Sequence, residues 1–402
     1  MIIINEWVNF IDLPLEVYVG ERQANSHIHS LQALRALACI AVMLSHSAFI
    51  SSSGINFVDG FGKWGVSVFL VLSGFVLMYS YYGKKRIEKA SVFDNIKFAW
   101  KKIRGIYPLH IITTMAFVVF MFLGDHKTPV LPAVCRIVLN MLLLQEWIPF
   151  TERSINGVAW YLCVSAFCYF VFPWILLFYE KRKRRSPIMG IFVLFFLQIV
   201  IGFIGGLLPN QSLSDSLFWG SDMTEWLVYK HPISRSLDFL IGCNIGYIYA
   251  NEKQGIKHSY MCRIMSAVAV CLSIIGIVIY VINTPASVQG KIDSFVHTER
   301  WWTYVLLFIP SACLFVYIFA HNEWRLSAMF TNKLTIYLGD ISKYLFLIHY
   351  VVFYYISAVI IYIFGNGFDH IYGPWLKICF GIIISIVLSH IWNRLTLVTD
   401  KF

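Results

Sequence analysis

Charged residues are scarce in this 402-residue chain: Asp, Glu, Lys and Arg together make up 13% of it. Soluble proteins carry about 25%. With so few charges, a soluble fold of this length would leave apolar patches far larger than monomers tolerate. Disorder is excluded by the opposite quantity, because 58% of the residues are apolar. Cysteine is present nine times, but with no CxxC pair and no Cys/His cluster, so neither a disulfide scaffold nor a cysteine-based metal site is indicated. Seven of these cysteines (Cys39, Cys163, Cys168, Cys243, Cys271, Cys313 and Cys379) sit inside apolar runs and read as small packed hydrophobes. Internal repeats and low-complexity tracts are absent too. What is present in quantity is aromatic: 33 Phe, 22 Tyr and 13 Trp, residues that populate the lipid–water boundary. The class left is an integral membrane protein.

Acidic residues are the scarcer sign of charge, and the formal net charge is +10. Nucleic acid is not the expected partner. The basic residues stand in short clusters between apolar runs, which is how a polytopic protein fixes its orientation. A membrane helix needs about 20 mostly apolar residues. Candidate spans are 33–50, 64–82, 106–123, 158–179, 188–208, 235–250, 264–282, 303–320, 341–364 and 375–394. The expected fold is an all-α polytopic bundle of about ten spans.

The run 135–148 is short and ends in Gln145-Glu146-Trp147, with Pro149 just beyond. Loop charge decides how to treat it. Segment 83–105 holds Lys84, Lys85, Arg86, Lys89, Lys97, Lys101, Lys102 and Arg104, and residues 181–185 read Lys-Arg-Lys-Arg-Arg. Both clusters belong in the cytoplasm. They share a side only if 135–148 re-enters or lies in the interface. Both termini are then cytoplasmic, and the protein is expected in the inner, cytoplasmic membrane. Nothing in the first 30 residues has the pattern of a cleavable signal. Residues 1–402 are expected to form a single membrane domain, with 1–30 a cytoplasmic or interfacial segment.

Ionisable residues inside membrane helices are costly and are functional candidates by default. The first span carries Arg35 and His46, eleven residues apart. Eleven residues is close to three helical turns, so both side chains share one face, roughly 16 Å apart along the axis. One face thus bears an anion binder low down and a proton acceptor high up. The plainer alternative is an orientation charge that snorkels and a histidine that caps a helix end. At the mouth of the third span stand Lys101, Lys102 and Arg104, followed by Gly105, Tyr107 and Pro108. These cations could hold phosphates or serve orientation alone. Arg235 and Asp238 are i, i+3 neighbours able to pair. Trp160-Tyr161 suits an aromatic belt or a substrate platform. His110 and His349 read more readily as hydrogen-bonded structural histidines than as catalytic ones.

Several of these residues carry a resemblance. Arg35-x10-His46 resembles the Arg-x10-His signature of the acyltransferase 3 family of integral membrane acyltransferases. Gly65-Val66-Ser67-Val68-Phe69-Leu70-Val71-Leu72-Ser73-Gly74-Phe75 resembles the family's Gly-Val-x-x-Phe-Phe-x-x-Ser-Gly-Phe stretch. Arg104-Gly105-Ile106-Tyr107-Pro108 is similar to its Arg-x-Tyr-Pro element. Trp160-Tyr161-Leu162 through Tyr169 and Pro173 follows its Trp-Ser-Leu span, and Arg235-x3-Phe239-x2-Gly242 and Leu338–His349 match later landmarks. Together they cover residues 28 to 394 in family order. Two departures stand out. The family's cytoplasmic Arg-x-x-Arg is Lys101-x-x-Arg104 here, which keeps the charge and loses one bidentate fork. Where many members place a Glu, this chain has Ser165 followed by Ala166. Some members fuse a C-terminal SGNH domain; the stand-alone form is expected here.

The resemblance implies transfer of an acyl group, usually acetyl, from acyl-CoA (acetyl-CoA as co-substrate, no metal) to a hydroxyl of a glycan or glycolipid acceptor. On that implication Arg35, Lys101, Arg104 and Tyr107 would bind the donor. His46 would act as general base or take the acyl group itself. Ser73, Tyr107, Trp160, Arg235 and His349 remain candidates for the substrate or the oxyanion. The reading from a different class is a transporter or flippase of a lipid-linked or small anionic molecule, although the broken helices and repeats common among transporters are not evident.

Overall fold

A computed structural model describes residues 28–49, 59–84, 87–124, 130–148, 155–181, 186–207, 223–252, 259–282, 304–321, 325–367 and 372–399. The N-terminal segment 1–27, with its expected interfacial stretch, and residues 182–185 of the second basic cluster lie outside the described residues. Every regular element among the described residues is helical. That is the solution for apolar chain in lipid, where a helix satisfies its own backbone polar groups.

Four helices make the centre of the bundle. They are α1 (His29–Phe49), α2 (Asp59–Tyr81), and later in the chain α8 (Pro232–Asn251) and α12 (Lys333–Phe364). Around them stand α4 (Tyr107–Gly124), α6 (Trp160–Lys181), α7 (Pro187–Leu207), α9 (Ser259–Ile282), α10 (Ile309–His321, continuing a π-helical turn Tyr304–Phe308) and α13 (Ile382–Thr399). Among the shorter helices are α3 (Val92–Ile103), α5 (Val130–Met141) and α11 (Arg325–Phe330). A π-helical turn at Trp226–Lys230 leads into α8. Outer helices such as α7 turn Phe192, Phe196, Phe203 and Leu207 outward, where lipid tails are their solvent.

Glycine sets the closest approach. A Cβ on Gly242 of α8 would stand 2.0 Å from the Val71 carbonyl oxygen of α2, and one on Gly74 would fall against the carbonyl of Phe239. Small residues allow this backbone-to-backbone packing, the main way membrane helices associate where no hydrophobic drive exists between them. α1 and α12 run parallel. Gly339 packs on the backbone of Gln32, Cys39 donates its thiol to the Ser342 carbonyl at 3.7 Å, and His46 meets His349. The two helices therefore climb the bundle side by side, in a register that pairs the two histidines.

The described residues do not confirm the full span count. Seven described helices are long and apolar enough to cross a membrane. Of the ten expected crossings, 106–123 and 264–282 contain only shorter apolar stretches, Tyr107–Val119 and Ala267–Ile279. The third, 235–250, lies in the 20-residue helix α8, whose buried Arg235, Asp238 and Asn244 lower its hydropathy. The run 135–148 is not one helix. α5 starts earlier, at Val130, and stops at Met141; its 12 residues reach about 18 Å, short of the roughly 30 Å hydrocarbon core. The chain then turns through Leu143, whose φ is 56°.

Segment 83–105, expected as a loop, contains α3. Ser91 caps its N-terminus, with the Asp94 N–H donating to the Ser91 hydroxyl at 3.2 Å and the Ser91 N–H donating back to Asp94. The Ser91 hydroxyl and N–H hold the Asp94 carboxyl below the usual carboxylate range. The helix has three stripes. Asn95, Ala99 and Ile103 are buried, with α6 as the neighbour, and Phe98 stacks on Phe172. Phe93, Ile96 and Trp100 are exposed and apolar. Lys97, Lys101 and Arg104 are exposed and basic. Three such faces suit a helix lying along a membrane surface, with the apolar stripe toward the acyl boundary and the cations toward the headgroups.

Candidate functional site

Two polar clusters lie in the bundle on the face that Arg35 and His46 share. At the upper end, His46 Nδ1 is 3.0 Å from His349 Nε2. His349 Nδ1 is in turn 3.0 Å from the carbonyl oxygen of Leu345, one turn back on its own helix. His349 is fully buried, whereas His46 is partly exposed. Phe353 and Phe346 pack edge-on against the His349 ring at 5.7 and 6.1 Å. Tyr350 stands edge-on to His46 at 5.1 Å. The turn before α6 closes over it, since a Cβ on Gly157 would come within 2.7 Å of the Tyr350 hydroxyl.

Deeper in the bundle, the Arg35 Nη1 donates to the Gln32 side-chain oxygen at 3.2 Å. Tyr161, Tyr169 and Asp340 lie within its electrostatic reach. The Ser73 hydroxyl lies close to those of both Tyr161 and Tyr169. Three helices thus converge: α1 brings the cation, α2 the serine, and α6 the two tyrosines, eight residues and about two turns apart. Among the sequence candidates, the structure gathers Arg35 and Ser73 here.

The other candidates sit elsewhere. Lys101 and Arg104 are on the exposed basic stripe of α3. The Tyr107 hydroxyl donates to the Met141 carbonyl at 2.8 Å, tying α4 to α5. His110, on the same helix, sets its Nε2 against the Asn140 carbonyl at 2.9 Å. Arg235 pairs with Asp238 at 2.8 Å, both fully buried. Its guanidinium lies over Tyr304, Tyr229 and Trp160 at 4.5, 4.8 and 5.9 Å from the ring centres. Asp238 also accepts from Gln198 and, at 2.8 Å, from the Tyr304 hydroxyl. Trp160 and Arg235 therefore share one aromatic-walled ion pair that ties α8 to α7 and to the π turn before α10. Gln145, whose amide donates to the Ala159 carbonyl at 3.1 Å, anchors the chain between α5 and α6.

Sequence reasoning placed Arg35 and His46 on one face but missed the partner of each. The pairing of His349 with His46 and of Ser73 with two tyrosines is set by which helices are neighbours, and helical periodicity is silent on that. Tyr161 and Tyr169 did carry a signal: they are polar groups eight residues apart in a span rich in apolar residues.

The fold and these clusters define a helical integral-membrane protein with an ionisable pair held inside its bundle. Residues 28–392 match the family model described as an acyltransferase domain, the acyltransferase 3 family. The chain belongs to that family. It is also similar to the acyltransferase MdmB of Streptomyces mycarofaciens, 30% identical over 172 residues, which cover 40% of this chain and 41% of that protein. The chain thus spans less than half the length of that relative. No solved structure matches it.

Proposed function

We propose that this protein is a membrane O-acyltransferase that moves an acyl group, acetyl in the first instance, from acyl-CoA on the cytoplasmic side to a hydroxyl of a surface glycan or glycolipid. Both termini are cytoplasmic on this reading, and the membrane is the cell's inner one. The observation that carries it is the Arg35–His46 face: a cation low in the bundle, and about three turns above it a partly exposed imidazole engaged through one ring nitrogen. Arg35, with Lys101 and Arg104 at the membrane surface, holds the phosphates of the donor. The thioester arm runs upward past Ser73, Tyr161 and Tyr169, whose hydroxyls supply donors along the path. His46 takes the proton of the acceptor hydroxyl as it attacks the thioester carbonyl.

The test uses vesicles holding the full-length protein, labelled acetyl-CoA and the cell's own glycolipid fraction. His46→Ala is expected to lower acyl transfer about 100-fold or more, the usual weight of a general base, without loss of folded protein. Arg35→Ala is expected to raise the KM for acetyl-CoA. Normal transfer by inserted His46→Ala protein refutes the proposal.

A further inference from the structure

We infer that His349 is a positioning residue that fixes the tautomer of His46, so that Nε2 of His46 is the nitrogen that exchanges a proton with the acceptor hydroxyl. The inference rests on the acyl-transfer reading for its chemistry, but its geometry stands alone.

The chain of hydrogen bonds has one consistent direction. A backbone carbonyl only accepts, so the Leu345 oxygen assigns the proton of His349 to Nδ1. A neutral imidazole has one donor and one acceptor nitrogen. His349 Nε2 is therefore the acceptor, and the His46 nitrogen facing it at 3.0 Å, Nδ1, must carry a proton and donate. That leaves His46 Nε2 with its lone pair and no described side chain bonding it; the Val42 carbonyl, one turn back on α1, is a second backbone acceptor beside the ring. A fully buried ring packed edge-on by Phe346 and Phe353 cannot swing away to relax this choice. An imidazole free in solution divides itself between two tautomers; here the fold imposes one. A carboxylate is the commoner orienting group behind a catalytic histidine. In this bundle a second, neutral histidine does that work and avoids burying a charge.

The step balances as follows. The acceptor O–H gives its proton to His46 Nε2 as its oxygen bonds to the thioester carbonyl carbon. The tetrahedral centre collapses, the C–S bond breaks, and the sulfur leaves with the electron pair as thiolate. His46 Nε2 returns its proton to that sulfur. The products are the ester and the free thiol, and His46 is again neutral with Nδ1 protonated. His349 neither touches substrate nor changes its own proton count in this sequence.

Three variants of the full-length protein in lipid nanodiscs test the assignment. His349→Phe keeps a ring of similar volume and removes the acceptor. His349→Gln places an amide oxygen near where Nε2 stood. His46→Gln serves to assign the His46 signals in 15N NMR of histidine-labelled protein. Wild type is expected to show His46 as the Nδ1–H tautomer, and His349→Phe a mixture. With acetyl-CoA and the glycolipid fraction, His349→Phe is expected to lower kcat roughly 10- to 100-fold while the KM for acetyl-CoA stays within about twofold, since a displaced tautomer disables proton transfer and not donor binding. His349→Gln is expected to recover at least a third of the lost rate. An unchanged tautomer in His349→Phe, or wild-type kcat in that variant, overturns the inference. So does a wild-type His46 found as the Nε2–H tautomer. Full activity in His46→Gln would instead overturn the acyl-transfer reading and leave the tautomer assignment intact.

Discussion

Gly242→Ala adds a single methyl group where α2 and α8 approach backbone to backbone. The new Cβ would stand 2.0 Å from the Val71 carbonyl oxygen, 2.8 Å from its carbonyl carbon and 3.0 Å from its Cα. Ordinary contact begins at about 3.4 Å, so α2 and α8 must separate by about 1.4 Å at that point. The obstacle is backbone, so no rotamer change relieves it. Overpacking of this kind costs roughly 1–3 kcal/mol, at the upper end where both partners are rigid. Alanine recovers about 1 kcal/mol through its better helix propensity, which leaves a net loss of about 2 kcal/mol. The same movement displaces Ser73, two residues from Val71 on α2, relative to the tyrosines of α6. Misplacement of about 1 Å near reacting groups can cost on the order of 100-fold in rate. Thermal unfolding in detergent, read by the loss of the folded peak in size-exclusion chromatography, is expected to show a fall of several degrees. Gly105→Ala is the control, because a Cβ there meets nothing within 4 Å, and its unfolding temperature is expected to hold or rise. Gly242→Ala with wild-type stability, or an equal loss in Gly105→Ala, refutes the argument from backbone approach.

Two further outcomes follow from the same structure. Arg235→Met leaves the Asp238 carboxylate buried without its cation and is expected to cost about 3–5 kcal/mol; Arg235→Met with Asp238→Asn is expected to recover most of it, and wild-type thermal stability in the single variant would remove the ion pair from the architecture. On α3, cysteines introduced at Ile96 and Trp100 in a cysteine-free background are expected to be quenched by nitroxide-bearing lipid after fluorescent labelling, while cysteines at Lys97 and Lys101 report water; equal quenching at all four positions would deny α3 its place at the membrane surface.

The parts of this fold legible in the sequence were those governed by one helix at a time. Scarce charge identified the solvent as lipid, and long apolar runs located α1, α2, α6, α7 and α12. Periodicity put Arg35 and His46 on one face. α3 is masked in the sequence by its own basic residues, which double as topology signals, although Phe93, Ile96 and Trp100 recur at helical spacing among them. α8 was legible as a helix, but its Arg235–Asp238 pair became intelligible only with Trp160, Tyr229 and Tyr304 around it. Those rings come from three different segments.

The same limit explains how a histidine read as structural turns out to face the principal candidate. Taken alone, His349 is a buried imidazole one turn above the Leu345 carbonyl, and a structural role satisfies everything that its own helix shows. Its second nitrogen has meaning only because α1 and α12 run in the same direction. Parallel helices advance together, so the contact of Gln32 with Gly339 near the start of both helices is followed, after a shift of about one turn between them, by Cys39 with Ser342 and His46 with His349. Had α12 run the other way, residue 349 would have met the Arg35 end of α1, and His46 would have faced the helix start near Lys333. The meeting of His46 and His349 is therefore a consequence of topology. Gly339 holds the helices close where the parallel run begins, and the turns that follow bring the two rings to hydrogen-bond distance.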